Sequence, residues 1–378
     1  MDPRIRLFAA CAPGLEPFVA GELQRLGASD IRATPGGVEF GGSRRDLYAA
    51  NLHLRTANRV LVRMGEFYAA AFSELRKKAG RLSWEVFLQP GTPIALKATC
   101  HKSRLYHSDA VAERVAGAIE DRLGRPISRV SGGEPDAPDS PQLVLARLDH
   151  DRCTLSVDAS GALLHRRGYR LATARAPLRE TLAAGMLLAS GWDATSPLLD
   201  PFCGSGTIAI EAALIAANRA PGRSRRFAFM KWPDFDATLW KSLLAEADER
   251  EPLATPQIAA SDRDAGAIGS ARANAQRAGV ADRIDFSCRA LSAIEPPPGP
   301  GWVVTNPPYG VRIGRPDDLR NLYAQFGKVM RGSCPGWQVV MLCADVRLAR
   351  ASGLTLVDIA AFENSGMRVK LMRGRAQD

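Results

Sequence analysis

The sequence predicts an α/β protein in which two α+β units precede a doubly wound sheet. Between about residues 180 and 346, short apolar runs alternate with segments of helical pattern, which is typical of a doubly wound sheet. The earlier part of the chain contains strand-like and helix-like segments without that regular alternation. These two observations place the predicted units at residues 1–65, 66–165 and 166–378.

The elements of the first 165 residues follow from hydrophobic periodicity. Strands alternate apolar and polar residues, whereas helices repeat apolar residues at every third or fourth position. The predicted strands cover residues 4–10, 36–40, 94–99, 143–148 and 154–158, and the predicted helices cover 15–26, 44–51 and 110–123. Residues 131–140 are rich in Gly, Pro, Ser and Asp and predict a loop.

The doubly wound part begins with a strand, a glycine-rich turn and a helix. An apolar run ends at Asp200, two glycines follow, and residues 208–215 are again apolar. A second apolar run, 258–260, precedes an Ala-rich segment at 265–278. This order predicts the first two strand–helix units of the sheet.

An insertion interrupts the alternation. Residues 219–257 are rich in Arg and aromatic side chains. An insertion after the first strand of such a sheet would lie near the ligand crevice. It would form either a lid or a plain surface excursion.

The loop after the first strand suits a nucleoside cofactor. Gly204 and Gly206 would let the backbone approach a ligand closely. The carboxylate of Asp200 suits a cation, such as the ammonium of S-adenosylmethionine, better than a phosphate. Asp262 ends the second apolar run, where a carboxylate typically holds ribose hydroxyls. We predict that Asp264 instead caps the following helix.

Cysteine chemistry is not expected. Cys203 lies in the glycine loop, but no histidine follows His165, so no thiol–imidazole pair forms in this half. We predict that Cys203 is a small buried residue that shapes the loop. The seven cysteines show no Cys-x-x-Cys pairing, so we expect neither a zinc site nor another metal site. Cysteines of this kind fit a reducing cytoplasm.

Composition limits the function classes further. The net charge is +10 and both halves are basic, which suits a polyanionic partner, although an Arg-rich proteome would give the same bias. No apolar run is long enough for a transmembrane helix, and the start does not lead into a signal-peptide core. We therefore expect a cytoplasmic protein without a membrane partner.

The string Asn306-Pro307-Pro308-Tyr309 follows another short apolar run. The amine of a nucleobase is conjugated with its ring and is a poor nucleophile. The Asn306 side-chain oxygen and a main-chain carbonyl would each accept one N–H, which localises the lone pair and orients it. The prolines stiffen the loop, and Tyr309 offers a flat face to a base taken out of its stack. The alternative is a strand that ends in a proline turn.

Two basic segments suit phosphate and base contacts. One covers residues 100–108 and the other covers residues 165–170. The predicted RNA-binding residues are Lys102, Arg104, Arg166, Arg167, Tyr169 and Arg170. The alternative interpretation of the second segment is a charged linker before a capped helix, with Pro177 near its first position and Glu180 in its first turn.

With these motifs the chain resembles the THUMP-domain RNA guanine-N2 methyltransferases, most closely the methylating half of the bacterial 23S rRNA enzymes. The matching strings are Pro13-Gly14-Leu15-Glu16, Gly36-Gly37-Val38, and residues 167–170, 176–184, 199–207 with Glu211, 261–264 and 306–310. The resemblance implies a ferredoxin-like unit, a THUMP RNA-binding unit and a Rossmann-like class I methyltransferase domain. It also implies S-adenosylmethionine as donor. Some relatives continue into a second methyltransferase where this chain ends, so we expect one modification activity, and we expect a monomer.

The resemblance also implies residue roles. Asn306, Pro307, Pro308 and Tyr309 would hold the guanine amine. The implied cofactor residues are Pro177, Glu180, Thr181, Asp200, Phe202, Cys203, Gly204, Ser205, Gly206, Thr207, Asp262, Arg263, Ala290 and Asn306. Ala290 is a departure, because relatives often place an acid there for the adenine amine. We expect weaker adenine recognition rather than loss of binding.

The expected function is therefore methylation of a guanine N2 amine in 23S rRNA. A tRNA guanine-N2 methyltransferase is the first alternative. A DNA adenine-N6 methyltransferase shares the Asn-Pro-Pro-Tyr string, but the THUMP-like half favours RNA. An RNA-binding assembly factor without catalysis is a further alternative, for which Ala290 is the single argument.

Overall fold

A computed structural model describes residues 4–130, 140–170, 178–249, 255–309, 316–364 and 366–377. Within them the chain forms two compact units. The first contains the described residues of 1–11, 19–164 and 225–245, and the second contains 12–18, 165–224 and 246–378. In the described part of the chain, no helix is both long and apolar enough to span a bilayer.

The first unit contains a sheet of seven strands among the described residues, in the order β2-β3-β1-β4-β7-β6-β5. Its strands are β1 (Ile5–Cys11), β2 (Ser29–Thr34), β3 (Gly37–Gly42), β4 (Ala57–Tyr68), β5 (Ile94–His101), β6 (Gln142–Asp149) and β7 (Arg152–Asp158). Its helices are α1 (Glu16–Arg25), which begins in the second unit, α2 (Arg44–His53), α3 (Phe72–Ala79) and α4 (Ser108–Leu123). All neighbours pair antiparallel except β5 and β6, which are parallel.

Strand β4 joins the two α+β units that the sequence suggested. It pairs with β1 through residues 57–62 and with β7 through residues 61–68. The predicted boundary at residue 65 therefore falls inside a strand. Periodicity does not mark such a boundary, because a strand that serves two halves of one sheet has the same pattern throughout.

The aromatic part of the insertion packs in the first unit. The ring of Phe229 stacks on that of Tyr48, with centroids 4.3 Å apart and planes 15° from parallel. The indole nitrogen of Trp232 donates to the side-chain oxygen of Gln142 at 2.8 Å. Phe229 is fully buried and Trp232 is 6% exposed. Residues 225–245 therefore pack as a core element of the first unit, which is neither the surface loop nor the lid that the sequence suggested.

The second unit contains the doubly wound sheet, in the order β10-β9-β8-β11-β12-β14-β13. Its strands are β8 (Leu198–Asp200), β9 (Ile258–Asp262), β10 (Ile284–Cys288), β11 (Trp302–Thr305), β12 (Gln338–Cys343), β13 (Leu356–Asn364) and β14 (Met367–Arg375). Its helices are α5 (Glu180–Ser190), α6 (Thr207–Ala216), α7 (Ala237–Asp248), which begins in the first unit, α8 (Ala265–Ala278), α9 (Pro316–Ser333) and α10 (Val346–Ala351).

The first five strands of this sheet in chain order are parallel, and the hairpin β13–β14 closes it antiparallel. Val303, Val339 and Met341 are fully buried in a core with Tyr323 and Phe326. Parallel strands buried on both faces carry continuous apolar runs, which is why the sequence revealed them. The hairpin was not predicted, because the alternating pattern stops at residue 346.

Candidate active site

Three adjacent parallel strands bring the predicted site residues to one edge of the sheet. β8 lies between β9 and β11. Asp200 ends β8, Asp262 ends β9, and Asn306 follows β11. The order of strands reverses between β8 and β11, and ligands of open α/β sheets bind at such a switch point, outside the carboxyl ends of the strands.

Asp200 is buried and only half satisfied. Its Oδ1 accepts hydrogen bonds from the Thr305 hydroxyl at 2.6 Å and from the Phe202 N–H at 3.3 Å. Within the described residues its Oδ2 has no hydrogen-bond partner. Burial raises the pKa of Asp200 from 3.8 to about 7, although Thr305 and Phe202 lower it. An orphaned buried carboxylate oxygen is costly, so this site favours a cationic or donor ligand.

The glycine loop is held in a tight turn by its neighbours. The Gly204 N–H donates to Oδ2 of Asp262 at 3.0 Å. Gly204 and Gly206 both have positive φ, 51° and 83°. A Cβ on Gly206 would lie 3.0 Å from that of Ala271 in α8, so the loop needs glycine there for conformation and for packing. The Asn274 amide also donates to the Ser205 carbonyl at 3.0 Å.

Cys203 and Asp264 have the local roles that the sequence predicted. Cys203 is buried, and burial raises the pKa of its thiol far above the usual value. A thiol that stays protonated is a poor nucleophile. Asp264 caps α8, because its side chain accepts hydrogen bonds from the N–H groups of Gly266 and Ala267. Asp262 accepts the Asp264 N–H through its other oxygen, at 3.0 Å; its ribose role stays a prediction.

Arg170 connects helices α5 and α6. Its guanidinium donates to the Leu178 carbonyl and to the Thr207 hydroxyl, each at 2.7 Å. It also lies 3.4 Å from Oε1 of Glu180. Oε2 of Glu180 is buried without a hydrogen-bond partner in the part of the chain that the structure describes. Burial raises the pKa of Glu180, so this oxygen is a second unsatisfied acceptor of the site. Thr181, beside Glu180, is buried.

Arg167 and Tyr169 are buried rather than presented to solvent. Their side chains surround Glu211, which is fully buried: the guanidinium lies 3.4 Å from Oε1, and the Tyr169 hydroxyl donates to it at 3.1 Å. The RNA-contact role predicted for Arg167, Tyr169 and Arg170 stays a prediction, and the burial of Arg167 and Tyr169 argues against it. Arg166 is exposed in this unit, and Lys102 and Arg104 are exposed in the first unit.

The motif of residues 306–309, which is predicted to hold the amine, also has an acceptor without a partner among the described residues. Oδ1 of Asn306 is buried, and none of the described residues gives it a hydrogen bond. Pro307 is buried, and Pro308 and Tyr309 are partly buried. The Tyr309 hydroxyl accepts a hydrogen bond at 3.0 Å from Nδ2 of Asn364. The sequence does not indicate Asn364, because no local pattern pairs it with Tyr309, which lies 55 positions earlier.

The remaining predicted cofactor residues contribute less to the geometry. Arg263 and Ala290 are exposed, and Ala290 immediately precedes a short 3₁₀ turn, residues 291–293, after β10. Pro177 lies outside the described residues. The roles predicted for all three stay predictions.

The buried acceptor oxygens fit the predicted cofactor. Asp200 and Glu180 each offer a carboxylate oxygen without a hydrogen-bond partner among the described residues, and Arg170 lies 3.4 Å from the other oxygen of Glu180. Two such acceptors suit a ligand with an ammonium or sulfonium group and N–H donors. A phosphate would be repelled by the carboxylates.

Comparison with known proteins identifies the family. A family model described as "RMKL-like, methyltransferase domain" matches residues 167–373, which is more than half of the chain. The chain belongs to the RMKL-like methyltransferase family. In this RMKL-like methyltransferase, an RlmL ferredoxin-like domain model matches residues 6–61 and a THUMP domain model matches residues 69–158.

Individual relatives agree with the family. The RMKL-like chain is 37% identical over 369 residues to "Putative RNA methyltransferase slr0064" of Synechocystis, covering 97% of the chain and 95% of that protein. It is also 37% identical to "Ribosomal RNA large subunit methyltransferase K/L" of Syntrophotalea carbinolica, with 98% of the chain covered. The chain spans about half of that relative, 54% of its length.

A solved structure of a putative methyltransferase has the same fold. "SMU.472, a putative methyltransferase complexed with SAH" superposes with a TM-score of 0.89 at 30% identity, over 100% of both chains. These findings confirm the predicted fold class, a Rossmann-like methyltransferase domain preceded by ferredoxin-like and THUMP units. The solved relative holds SAH, which agrees with the cofactor predicted for this RMKL-like methyltransferase.

One side-chain group bears on the predicted absence of metal. In the first unit, His101, Asp149 and His150 bring ligand atoms within 4.8 Å of one another. Both imidazoles already use Nδ1 toward the same Asp149 oxygen, at 3.0 and 2.8 Å. These hydrogen bonds explain the cluster without an ion, and the expected absence of metal stays a prediction.

Proposed function

We propose that this RMKL-like methyltransferase transfers a methyl group from S-adenosylmethionine to the exocyclic N2 amine of a guanine in 23S rRNA. The observation that carries the proposal is the buried Oδ1 of Asn306, which receives no hydrogen bond from any residue that the structure describes. Thr305, which precedes it, is hydrogen-bonded to Asp200 at 2.6 Å. This bond links the amine-holding motif to the predicted cofactor carboxylate.

The chemistry follows from what Asn306 can accept. A guanine N2 amine has two N–H groups, of which Oδ1 takes one and a carbonyl of the proline turn takes the other. The two bonds pull the nitrogen lone pair out of conjugation and aim it at the incoming methyl group. S-adenosylmethionine supplies that methyl group in electrophilic form. Pro307 and Pro308 hold the acceptors in place, because their φ angles are fixed.

The cofactor half of the proposal predicts a pH dependence. We propose that the ammonium of S-adenosylmethionine pairs with Asp200, whose folded-state pKa is raised from 3.8 to about 7. Below that pH a proton competes, so affinity should fall by about tenfold per pH unit and level off above it. Isothermal titration from pH 5 to pH 9 measures this. Asp200→Asn should bind weakly and without that slope; an equal slope in the variant would assign the titration to another group, such as Glu180.

In the protein without its cofactor, the unfolding free energy depends on pH in the opposite direction to cofactor affinity. Because the pKa of Asp200 is raised on folding, the folded chain holds a proton there between about pH 4 and 7 that the unfolded chain releases. The unfolding free energy should therefore fall as the pH rises through that window, while cofactor affinity rises.

The RNA half of the proposal draws on the first unit. The names of the two relatives refer to RNA methyltransferases, and this chain carries the THUMP domain. The exposed side chains of Lys102 and Arg104 follow β5. Together with a net charge of +10, these side chains suit phosphate contacts, whereas the THUMP domain and the relatives' names favour RNA over DNA.

RNA affinity should fall steeply with salt. Binding to 23S rRNA transcripts should weaken linearly on a log–log plot, and Lys102→Ala and Arg104→Ala should each reduce the slope by about one counterion. Filter binding between 50 and 300 mM KCl, as chosen conditions, measures it. Lys77→Ala, an exposed lysine of α3, is the matched control and should keep the slope. An RNA affinity that does not change with salt would contradict a role of the basic surface in binding.

Two experiments separate the proposal from its alternatives. Titration with S-adenosylmethionine tests the assembly-factor alternative, which requires that no binding occurs. Transfer of a tritiated methyl group to purified rRNA or tRNA, taken from cells that lack the gene, tests the substrate. Incorporation into 23S rRNA supports the proposal, whereas incorporation into tRNA alone supports the tRNA alternative.

A further inference from the structure

The hairpin β13–β14 contributes a hydrogen bond to Tyr309. Nδ2 of Asn364 donates a hydrogen bond to its hydroxyl at 3.0 Å. We propose that Asn364 is a positioning residue of the methyl-transfer reaction, which holds the Tyr309 ring in the place where the target base lies against it. The inference rests on the proposed function, because it gives the Tyr309 ring the role of base platform.

The hairpin is suited to this task because Asn364 lies at its tip. Asn364 is the last residue of β13 and pairs with Met367 of β14. β14 pairs through residues 370–375 with β12, the neighbour of β11. The position of Asn364 is therefore set by the same sheet that positions the Asn306 motif.

The N-terminal segment buttresses the hairpin. Residues 12–18 belong to the same compact unit as β13. Gly14 has a φ of 92°, and a Cβ there would lie 1.9 Å from the Ala361 carbonyl oxygen. The rings of Phe18 and Phe362 lie 6.2 Å apart and Phe362 is buried. A strand packed this closely does not shift easily, so the hydrogen bond has a fixed donor.

The hydrogen bond has a defined direction. The amide nitrogen of Asn364 can only donate, so the Tyr309 hydroxyl accepts. Burial raises the pKa of this hydroxyl, which keeps it a neutral phenol. The hydroxyl oxygen lies on the axis about which the ring turns, so its anchoring leaves that torsion alone and instead limits the swing of the whole side chain about χ1. A ring that is held in one place loses less entropy when a flat base stacks on it. The expected ligand of the face is a purine base extruded from RNA.

Enzyme kinetics test the assignment with four variants. Asn364→Leu removes the donor at similar size and should lower kcat by about 5- to 30-fold, as for loss of one buried hydrogen bond. The KM for S-adenosylmethionine should stay within about twofold. Asn364→Asp should restore much of kcat, because the Tyr309 hydroxyl then donates to the carboxylate. Combined with Tyr309→Phe, Asn364→Leu should cause no further loss. The substrate is 23S rRNA from cells that lack the gene.

A second measurement needs no substrate. With 3-fluorotyrosine in place of the six tyrosines, the ¹⁹F signal that disappears in Tyr309→Phe reports this ring. In Asn364→Leu that signal should shift or broaden, because the ring is no longer held in one place. Met367→Ala is the matched control, because Met367 pairs with Asn364 and is exposed; it should leave both the signal and kcat unchanged.

The outcomes are distinguishable. A normal kcat and an unchanged ¹⁹F signal in Asn364→Leu would overturn the inference, as would additive losses in the double variant. If Asn306→Ala also kept full turnover, the proposed function itself would fail. If Asn306→Ala lost turnover while Asn364→Leu did not, only the positioning role would fail. Thermal unfolding of each variant shows whether it folds.

Discussion

Asn306→Ala is expected to lower methyl transfer to 23S rRNA by about 10²-fold or more, the usual loss for a positioned transition-state contact. Its Oδ1 is buried and unsatisfied by any described residue, so it is free to accept an amine hydrogen when substrate binds. Removing it leaves the amine conjugated and misdirected. Cofactor affinity should change little, because Asp200, Glu180 and Asp262 are untouched.

Single-turnover kinetics and cofactor titration measure the two quantities separately. Asn321→Ala is the matched control, because Asn321 is an exposed asparagine of α9 in the same unit. It should retain full turnover. Near-normal turnover in Asn306→Ala would remove the role that we give this residue.

Arg167→Met is expected to cost about 3–5 kcal/mol of unfolding free energy, because it leaves a buried carboxylate without its cation. The carboxylate is that of Glu211 in α6, fully buried and 3.4 Å from the guanidinium. The hydroxyl of Tyr169 would remain as its donor at 3.1 Å. One neutral hydrogen bond does not offset a buried charge.

Urea unfolding measures this loss. The matched control is Arg166→Met, because Arg166 is the exposed neighbour and exposed ion pairs contribute about 0–1 kcal/mol. Adding Glu211→Leu to Arg167→Met should recover part of the stability, since the unpaired charge is removed. A stable Arg167→Met variant with weakened RNA binding would instead support the RNA-contact role first predicted for Arg167.

Local signals made much of this molecule predictable. Asp264 and α8 were predictable because a cap and its helix are adjacent in sequence. The glycine loop was predictable because its turn needs Gly204 and Gly206. Parallel strands such as β11 were predictable because burial on both faces leaves an apolar run.

Features that depend on distant packing were not predictable. Arg167 and Arg170 occupy a basic segment that suits RNA, yet both contact acidic residues inside their unit. Sequence does not show which way a side chain points when its partner, Glu211, is remote in the chain. The same reason applies to Phe229, whose partner Tyr48 lies in another sequence region. Asn364 reaches Tyr309 only through the order of strands β11, β12, β14 and β13.

The most direct test of the proposed function is nucleoside mass spectrometry of RNA methylated by the purified protein. Total RNA from cells that lack the gene is incubated with the protein and deuterated S-adenosylmethionine, then separated into 23S, 16S and tRNA fractions and digested. We predict labelled N2-methylguanosine in the 23S fraction, and no such label when the Asn306→Ala variant replaces the protein. Label in N6-methyladenosine, label confined to tRNA, or no label with cofactor bound would contradict it.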